Sequence, residues 1–348
     1  MNKLKFAIAG LGRIGKIHLE NLLQMNSVKI VAAMDPIQES REYAMNKGVS
    51  NVTTTYEGML SSTDIDVVVI CSPTDTHADY VEIAAKMGKH VFCEKPLDLS
   101  LERVVQVLNI VEDTGIKLMI GFNRRFDKEF KKVKALVSEG AIGEHHLVKI
   151  TSRDPGAPPV SYIEKSGGLF LDMTIHDFDI ARFIVGKEVD EVYAKGAVLV
   201  DSRIGDVGDI DTAVITLTYV DGTMAIIDNS REAAYGYDQR VEVFGSKGMV
   251  RAENNLQDTH QLFTSQGSQR SLPLHFFLER YAEAYKTEMS DYIRSLENDE
   301  PVPTNGNDGL QSLKIGLAAI KSLQENRPVK LEEITQYQDI NIINQHTK

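Results

Sequence analysis

The sequence predicts an α/β protein of two domains, a doubly wound parallel sheet followed by a domain containing antiparallel hairpins. Three observations predict it. Strand and helix signals alternate through the first third, a glycine cluster directly follows the first strand signal, and two later β-rich runs are joined through Asp221-Gly222. Alternation of that kind reads as βαβ units, whereas two β-rich runs flanking Asp-Gly read as a hairpin.

Phe6-Ala7-Ile8-Ala9 is the first strand signal, and Ile14, Ile17, Leu22 and Met25 give the helical pattern that follows it. Val28 to Met34 is the second strand. Asp66-Val67-Val68-Val69-Ile70-Cys71 is apolar without alternation, as expected of a strand covered on both faces. His90-Val91-Phe92-Cys93 and Lys117-Leu118-Met119-Ile120 repeat the signal, with helical patterns at Tyr80 to Met87 and Leu101 to Val111. The pattern then changes. Thr212 to Tyr219 and Thr223 to Ile227 form the Asp-Gly hairpin, and Val241 to Phe244 with Met249 to Arg251 predict a second. Leu278, Tyr281, Tyr285, Met289, Tyr292 and Leu296 recur at helical spacing, and Leu310 to Leu323 predicts a final helix after a polar break. The switch places the boundary at 123/124, with domains 1–123 and 124–348, leaving the final helices free to pack back on the first.

Composition limits the partners. The chain has 348 residues and 38 Lys plus Arg against 50 Asp plus Glu, a net charge of −12. Such a balance argues against nucleic acid, whose phosphates need clustered cations. No apolar stretch approaches the ~20 residues that span a bilayer. Cys71 and Cys93 are the only cysteines, too few for a disulfide scaffold. Met1 to Phe6 enters a strand-like run at once, without the longer apolar region of a signal peptide. The expectation is a cytoplasmic protein.

Gly10-Leu11-Gly12-Arg13-Ile14-Gly15 matches G-x-G-x-x-G between a strand and a helix. In that setting Gly10 permits the tight turn, Gly12 lets the backbone approach a pyrophosphate, and Gly15 lets helix and strand pack closely. The helix N-terminus then faces the negative charge. Asp35 ends the second strand, 20 residues after Gly15, where a carboxylate accepts from a ribose 2′-hydroxyl and repels a 2′-phosphate. NAD is therefore favoured, with nearby Arg41 leaving NADP open.

Asp172, His176 and Asp179 stand at i, i+4 and i+7, so on one helix they share a face. Three readings fit them: an N-terminal cap with a structural histidine, a carboxylate-supported general base, or a His/carboxylate metal site. Glu94-Lys95-Pro96 follows the strand ending at Cys93, and Ser72-Pro73-Thr74 with His77 occupies the same edge one strand earlier. Ligands of open α/β sheets sit outside the carboxyl ends of strands, where Lys95 falls. Lys95 is then either a donor to a substrate oxygen or an exposed loop lysine. Arg124, Arg125, Lys128, Lys131, Lys132 and Lys134 form a basic cluster. Helical periodicity makes the lysines a solvated face, whereas the arginines precede that helix and can point into an inter-domain cleft.

These motifs resemble the glucose-fructose oxidoreductase / inositol dehydrogenase (Gfo/Idh/MocA) family over nearly the whole length. Gly10 to Gly15, Val91 to Pro96, Gly121-Phe122-Asn123-Arg124-Arg125-Phe126-Asp127, and Asp172 with His176 and Asp179 carry the likeness. Arg124-Arg125 and Tyr235-Gly236-Tyr237-Asp238 look most like the inositol 2-dehydrogenase branch. The resemblance implies a Rossmann domain followed by an α+β domain whose large, mainly antiparallel sheet builds a homotetramer. It implies that Lys95, Asp172 and His176 are catalytic, with no metal. It also implies that Arg125, Asp154, Asp179 and one of Tyr235 or Tyr237 contact substrate hydroxyls alongside Asp172 and His176. The expected NAD contacts are Gly10, Gly12, Arg13, Ile14, Asp35, Ser72, Pro73, Thr74, His77, Glu94 and Lys95. The chain departs from some inositol dehydrogenases at Ser152, where they carry a histidine, so the ring isomer stays open. The expected reaction is oxidation of a secondary alcohol on a cyclic polyol, myo-inositol or an isomer, to the ketone. The alternatives are another sugar substrate, such as an aldose, or a non-catalytic sugar or dinucleotide sensor of the same fold. With Lys95 in one domain and His176 in the other, the active site is expected between them.

Overall fold

The computed structural model describes residues 3–61 and 64–336. Positions 1, 2, 62, 63 and 337–348, which include the outer ends of both expected domains, lie outside them. The chain forms two units, residues 1–123 with 285–311, and residues 124–284 with 312 onward.

The first unit begins with β1 (Leu4–Ala9), α1 (Arg13–Leu23), β2 (Val28–Met34), α2 (Gln38–Asn46), β3 (Val52–Thr53) and α3 (Tyr56–Ser61). It continues with β4 (Val67–Ile70), α4 (Thr74–Lys86), β5 (His90–Glu94), α5 (Leu101–Thr114) and β6 (Leu118–Gly121). The sheet order is β3-β2-β1-β4-β5-β6, with every pairing parallel. Every side chain of β4 is fully buried, which explains its unbroken apolar run. The order reverses between β1 and β4, and there Gly10 takes φ +91°. A Cβ on Gly10 would lie 2.5 Å from the Ser72 nitrogen, so the two strand ends meet only because this residue has no side chain. The outer edge, β6, is paired by Thr304, whose carbonyl accepts from the Ile120 N–H at 2.9 Å and whose hydroxyl donates to the Ile120 carbonyl at 2.6 Å.

The second unit contains α6 (Lys128–Ser138), β7 (His145–Arg153), α7 (Val160–Ser166), α8 (Gly168–Asp172), α9 (Ile175–Val185), β8 (Val189–Ala197) and α10 (Ser202–Asp206). Then come β9 (Thr212–Tyr219), β10 (Met224–Ser230), β11 (Asp238–Gly245), β12 (Gly248–Ala252) and the small hairpin β13 (Gln261–Thr264) and β14 (Gly267–Arg270). Next come α11 (Phe277–Arg280), α12 (Ala282–Glu297), α13 (Gly306–Glu325) and β15 (Val329–Lys330), followed by a short 3-10 turn at Leu331–Gln336. The large sheet runs β12-β11-β7-β10-β9-β8-β15. It is mixed, because β7 and β10 pair in parallel while its other neighbours are antiparallel. Both hairpins expected from the sequence are present, β9–β10 and β11–β12. Val148, Ile150, Ala225, Ile227, Val241 and Val243 point to the buried face, and Lys149, Met224, Glu242 and Phe244 to the open one.

Two expectations are corrected. The stripe Asp172–His176–Asp179 is not on one helix, because the helix breaks at Met173-Thr174 and leaves Asp172 at the end of α8. The single C-terminal helical pattern is likewise split at Tyr281, between α11 and α12.

Candidate active site

The glycine loop is built as a cradle. Gly15 has no room for a side chain, since a Cβ there would stand 2.0 Å from the Gly10 carbonyl oxygen. Gly12 is the opposite case: among the described residues nothing stands within 4 Å of where its Cβ would be. Helix α1 starts at Arg13 with Gly12 as N-cap, no side-chain cap and no acidic residue in its first turn. Uncapped N–H groups under an open glycine suit a pyrophosphate. Asp35 is buried, accepting from the Leu11 N–H at 2.7 Å and the Ile37 N–H at 2.8 Å, so it fixes the loop it adjoins. Arg41 is tied by its guanidinium to the carbonyls of Asp35 and Pro36 at 2.9 and 2.7 Å. The residues present fit a dinucleotide.

The neighbouring strand ends are braced from beneath. The Ser72 and Thr76 hydroxyls meet at 2.6 Å, Pro73 is the N-cap of α4, and Thr74 opens that helix. His77, counted among the cofactor contacts, is 2% exposed. Its Nδ1 lies 2.8 Å from the Pro96 carbonyl oxygen and its Nε2 2.8 Å from that of Ser72. Burial lowers its pKa against the opposing pull of these carbonyls. It reaches any ligand through the backbone it holds. Glu94 is met at 2.8 Å by Nε2 of His18, a fully buried residue of α1. Lys95 follows directly and is half-buried.

In the second unit, α7, α8 and the end of β10 converge on Asp172. The Tyr162 hydroxyl donates to its Oδ1 at 2.9 Å, and Arg231 lies 3.7 Å from its Oδ2. His176, half-buried in the first turn of α9, is anchored by its N–H to the Met173 carbonyl. Asp154, just past β7, has an enclosed carboxyl although the residue keeps some exposure. Its pKa is pushed up to about 6 by burial, against the pull of Arg124 and Arg231. Among the described residues no group of three or more His, Cys, Asp or Glu is arranged to hold a metal ion.

Arg124 and Arg125 are both ion-paired to α9. Arg124 bonds Asp177, whose other oxygen accepts from Asn229 at 2.9 Å, and Arg125 grips Asp179 with two bonds of 2.8 and 2.6 Å. Buried guanidinium groups demand such partners, so each arginine is neutralised by a carboxylate of α9. The two tyrosines have different partners. The Tyr235 hydroxyl accepts from Arg153 and donates to Asp238, whereas Tyr237 is buried against Phe276 and Tyr281.

Sequence reasoning missed His18, Tyr162, Asp177, Asn229 and Arg231. Only Asp177 carried a signal, as the one acid between two candidates on α9.

Residues 4–122 match a family model described as "Oxidoreductase family, NAD-binding Rossmann fold", and residues 130–251 match "GFO/IDH/MocA C-terminal domain". The chain belongs to the GFO/IDH/MocA family. It is 48% identical to the myo-inositol 2-dehydrogenase of Thermotoga maritima over 95% of this chain and 99% of that one. It is 47% identical to the inositol 2-dehydrogenase of Rhizobium meliloti, covering 94% and 99%. A solved structure of scyllo-inositol dehydrogenase from Lactobacillus casei, with bound NAD(H) and scyllo-inositol, superposes with a TM-score of 0.89. That chain is 34% identical, with 95% of this chain and 100% of that one covered. As a GFO/IDH/MocA member the protein is an NAD-dependent oxidoreductase. Among the described residues no helix is long and apolar enough to cross a membrane.

Proposed function

We infer that the protein oxidises one secondary hydroxyl of a cyclic polyol, myo-inositol or an isomer, to the ketone. The observation that carries this reading is the set around Asp172. A carboxylate oriented by Tyr162 and flanked by buried Arg231 stands four residues before a half-buried histidine, across the break at Met173-Thr174, in a chain with a dinucleotide cradle. NAD, held by the glycine loop and Asp35, supplies the hydride acceptor. Lys95 holds the reacting oxygen and stabilises charge developing on it. His176 takes the hydroxyl proton, and Asp172 supports the imidazolium that results. Asp154, with Arg125 held in orientation by Asp179, positions the remaining ring hydroxyls. Tyr237 serves the same face, because Tyr235 is committed to Arg153 and Asp238.

Incubating the protein with NAD and a panel of inositol isomers and aldoses, and following absorbance of the reduced cofactor, tests the reading. Turnover of at least one inositol is expected. Thermal stabilisation by inositols without absorbance change would instead identify a sensor. Running the panel with NADP tests Asp35, which should make that cofactor the poorer one.

Asp154 supplies a separate check. Its folded pKa of about 6 lies above the ordinary 3.8, so the protonated form is favoured by folding. Stability from this source is full below pH 4 and lost as pH rises through 6. Asp154→Asn should therefore raise the melting midpoint at pH 7.5, by an amount corresponding to about 2–3 kcal/mol, with no gain at pH 4. The same variant should lose activity, as expected where a site retains a costly charge.

The open sheet face bears a row Met249–Phe244–Leu147–Met224 across four adjacent strands, three of them about half exposed. That row supports self-association into a homotetramer, which sedimentation equilibrium would read. Free Cys71 and Cys93 fit a cytoplasmic setting.

A further inference from the structure

Arg231 carries a charge that neither the fold nor the reaction scheme so far employs. Its side chain is 1% exposed, and its backbone N–H is fixed to the Asp211 carbonyl at 2.8 Å. Its guanidinium lies 3.7 Å from the Asp172 carboxylate and 3.4 Å from that of Asp209. Its Nε has no hydrogen-bond partner among the described residues. Two of the other buried arginines are forked, Arg125 with Asp179 and Arg280 with Asp127, and Arg124 is bonded to Asp177. Arg231 is therefore shared between acids rather than committed to one.

The surroundings explain why sharing is needed. Asp154 feels Arg124 and Arg231 as favourable charges, and Asp172 and Asp177 as unfavourable ones. Arg124 is bonded to Asp177, and the two carboxylates beside Arg231 are those of Asp172 and Asp209. Asp209 is pinned apart from the others. It accepts from the Leu169 N–H at 3.0 Å and abuts Gly168, where a Cβ would stand 2.7 Å from its Oδ1. A cation at 3.4–3.7 Å offsets the buried negative charge of both carboxylates without making a two-bond fork with either.

We propose that Arg231 is a positioning residue, a buried counter-cation shared by Asp172 and Asp209 that holds Asp172 oriented toward a polyol. This rests on the reading that Asp172 serves the substrate. Its loss leaves clustered carboxylates uncompensated, so protons are held to higher pH, and an imidazole nearby shifts the same way. Asp209→Asn has the reverse sign, because one fewer acid competes for the cation.

The test is kcat/KM for myo-inositol between pH 5 and 9, alongside NADH affinity read by the cofactor's own fluorescence. Arg231→Gln should move the acid limb upward by about one pH unit or more and cut activity at pH 7 at least about tenfold, with NADH affinity unchanged. Arg231→Lys should restore the limb, and Asp209→Asn should move it downward. Should Arg231→Gln fail to fold, Asp209→Asn and Arg231→Lys decide. An unmoved limb in Asp209→Asn, or in a folded Arg231→Gln, overturns the proposal. Asp172→Asn separates the two ideas: full turnover there removes the catalytic reading, whereas its loss with unmoved limbs removes only the role of Arg231.

Discussion

His176→Ala is expected to reduce kcat by about a thousandfold while leaving NADH affinity unchanged. A positioned general base contributes about 10²–10⁴ in rate. Tyr162 already donates to Asp172, and arginines stay protonated near neutrality and so cannot act as a base. Affinity for the cofactor should persist because its cradle is in the other unit, built by Gly10, Gly12, Gly15 and Asp35. Lys95→Ala should lose about 10²–10³ through weaker stabilisation of the reacting oxygen. Steady-state kinetics with a fluorescence titration separates kcat from binding. Either variant retaining full activity would remove its residue from the mechanism.

Arg124→Met is expected to destabilise the protein by about 3–5 kcal/mol, the largest structural effect of any side chain near the substrate residues. Arg124 and Asp177 are almost wholly buried, at 5% and 1% side-chain exposure. Removing the guanidinium strands a carboxylate whose pKa burial already raises. The damage spreads, because Asp177 also accepts from Asn229, Asn229 accepts from Thr174, and Ser152 contacts both Arg124 and Gln239. This cluster pins the start of α9 to β7 and β10, and α9 carries His176. The double variant Arg124→Met/Asp177→Leu should recover part of the loss, since replacing both partners of a buried pair costs far less than breaking it. Urea unfolding of the three proteins gives the comparison.

Local patterns made much of this molecule legible. The glycine loop and both hairpins were readable because turn residues and strand runs adjoin one another. Strands β7 and β8 were not, and their residues explain why. β7 turns Ser152 inward to serve Arg124, and β8 carries Gly196 and Lys195, so neither shows clean alternation. The break at Met173-Thr174 was hidden because the Thr174 hydroxyl finds its partners, the Leu169 carbonyl and Asn229, through tertiary contact. Asp172 and His176 stood in a recognisable spacing, whereas Tyr162 and Arg231 are isolated letters. What they do depends on α7 and the end of β10 arriving at the same carboxylate, and no local pattern records that.

The pairing of Thr304 with Ile120 bears on how the chain is made. The two residues are 184 positions apart, so at about 5–20 residues per second the cofactor sheet waits roughly 10–40 s on the ribosome with β6 uncovered. For that interval the Ile120 amide and carbonyl form an unpaired edge, open to a strand of any nascent neighbour. A fragment ending at residue 123 would keep that edge permanently.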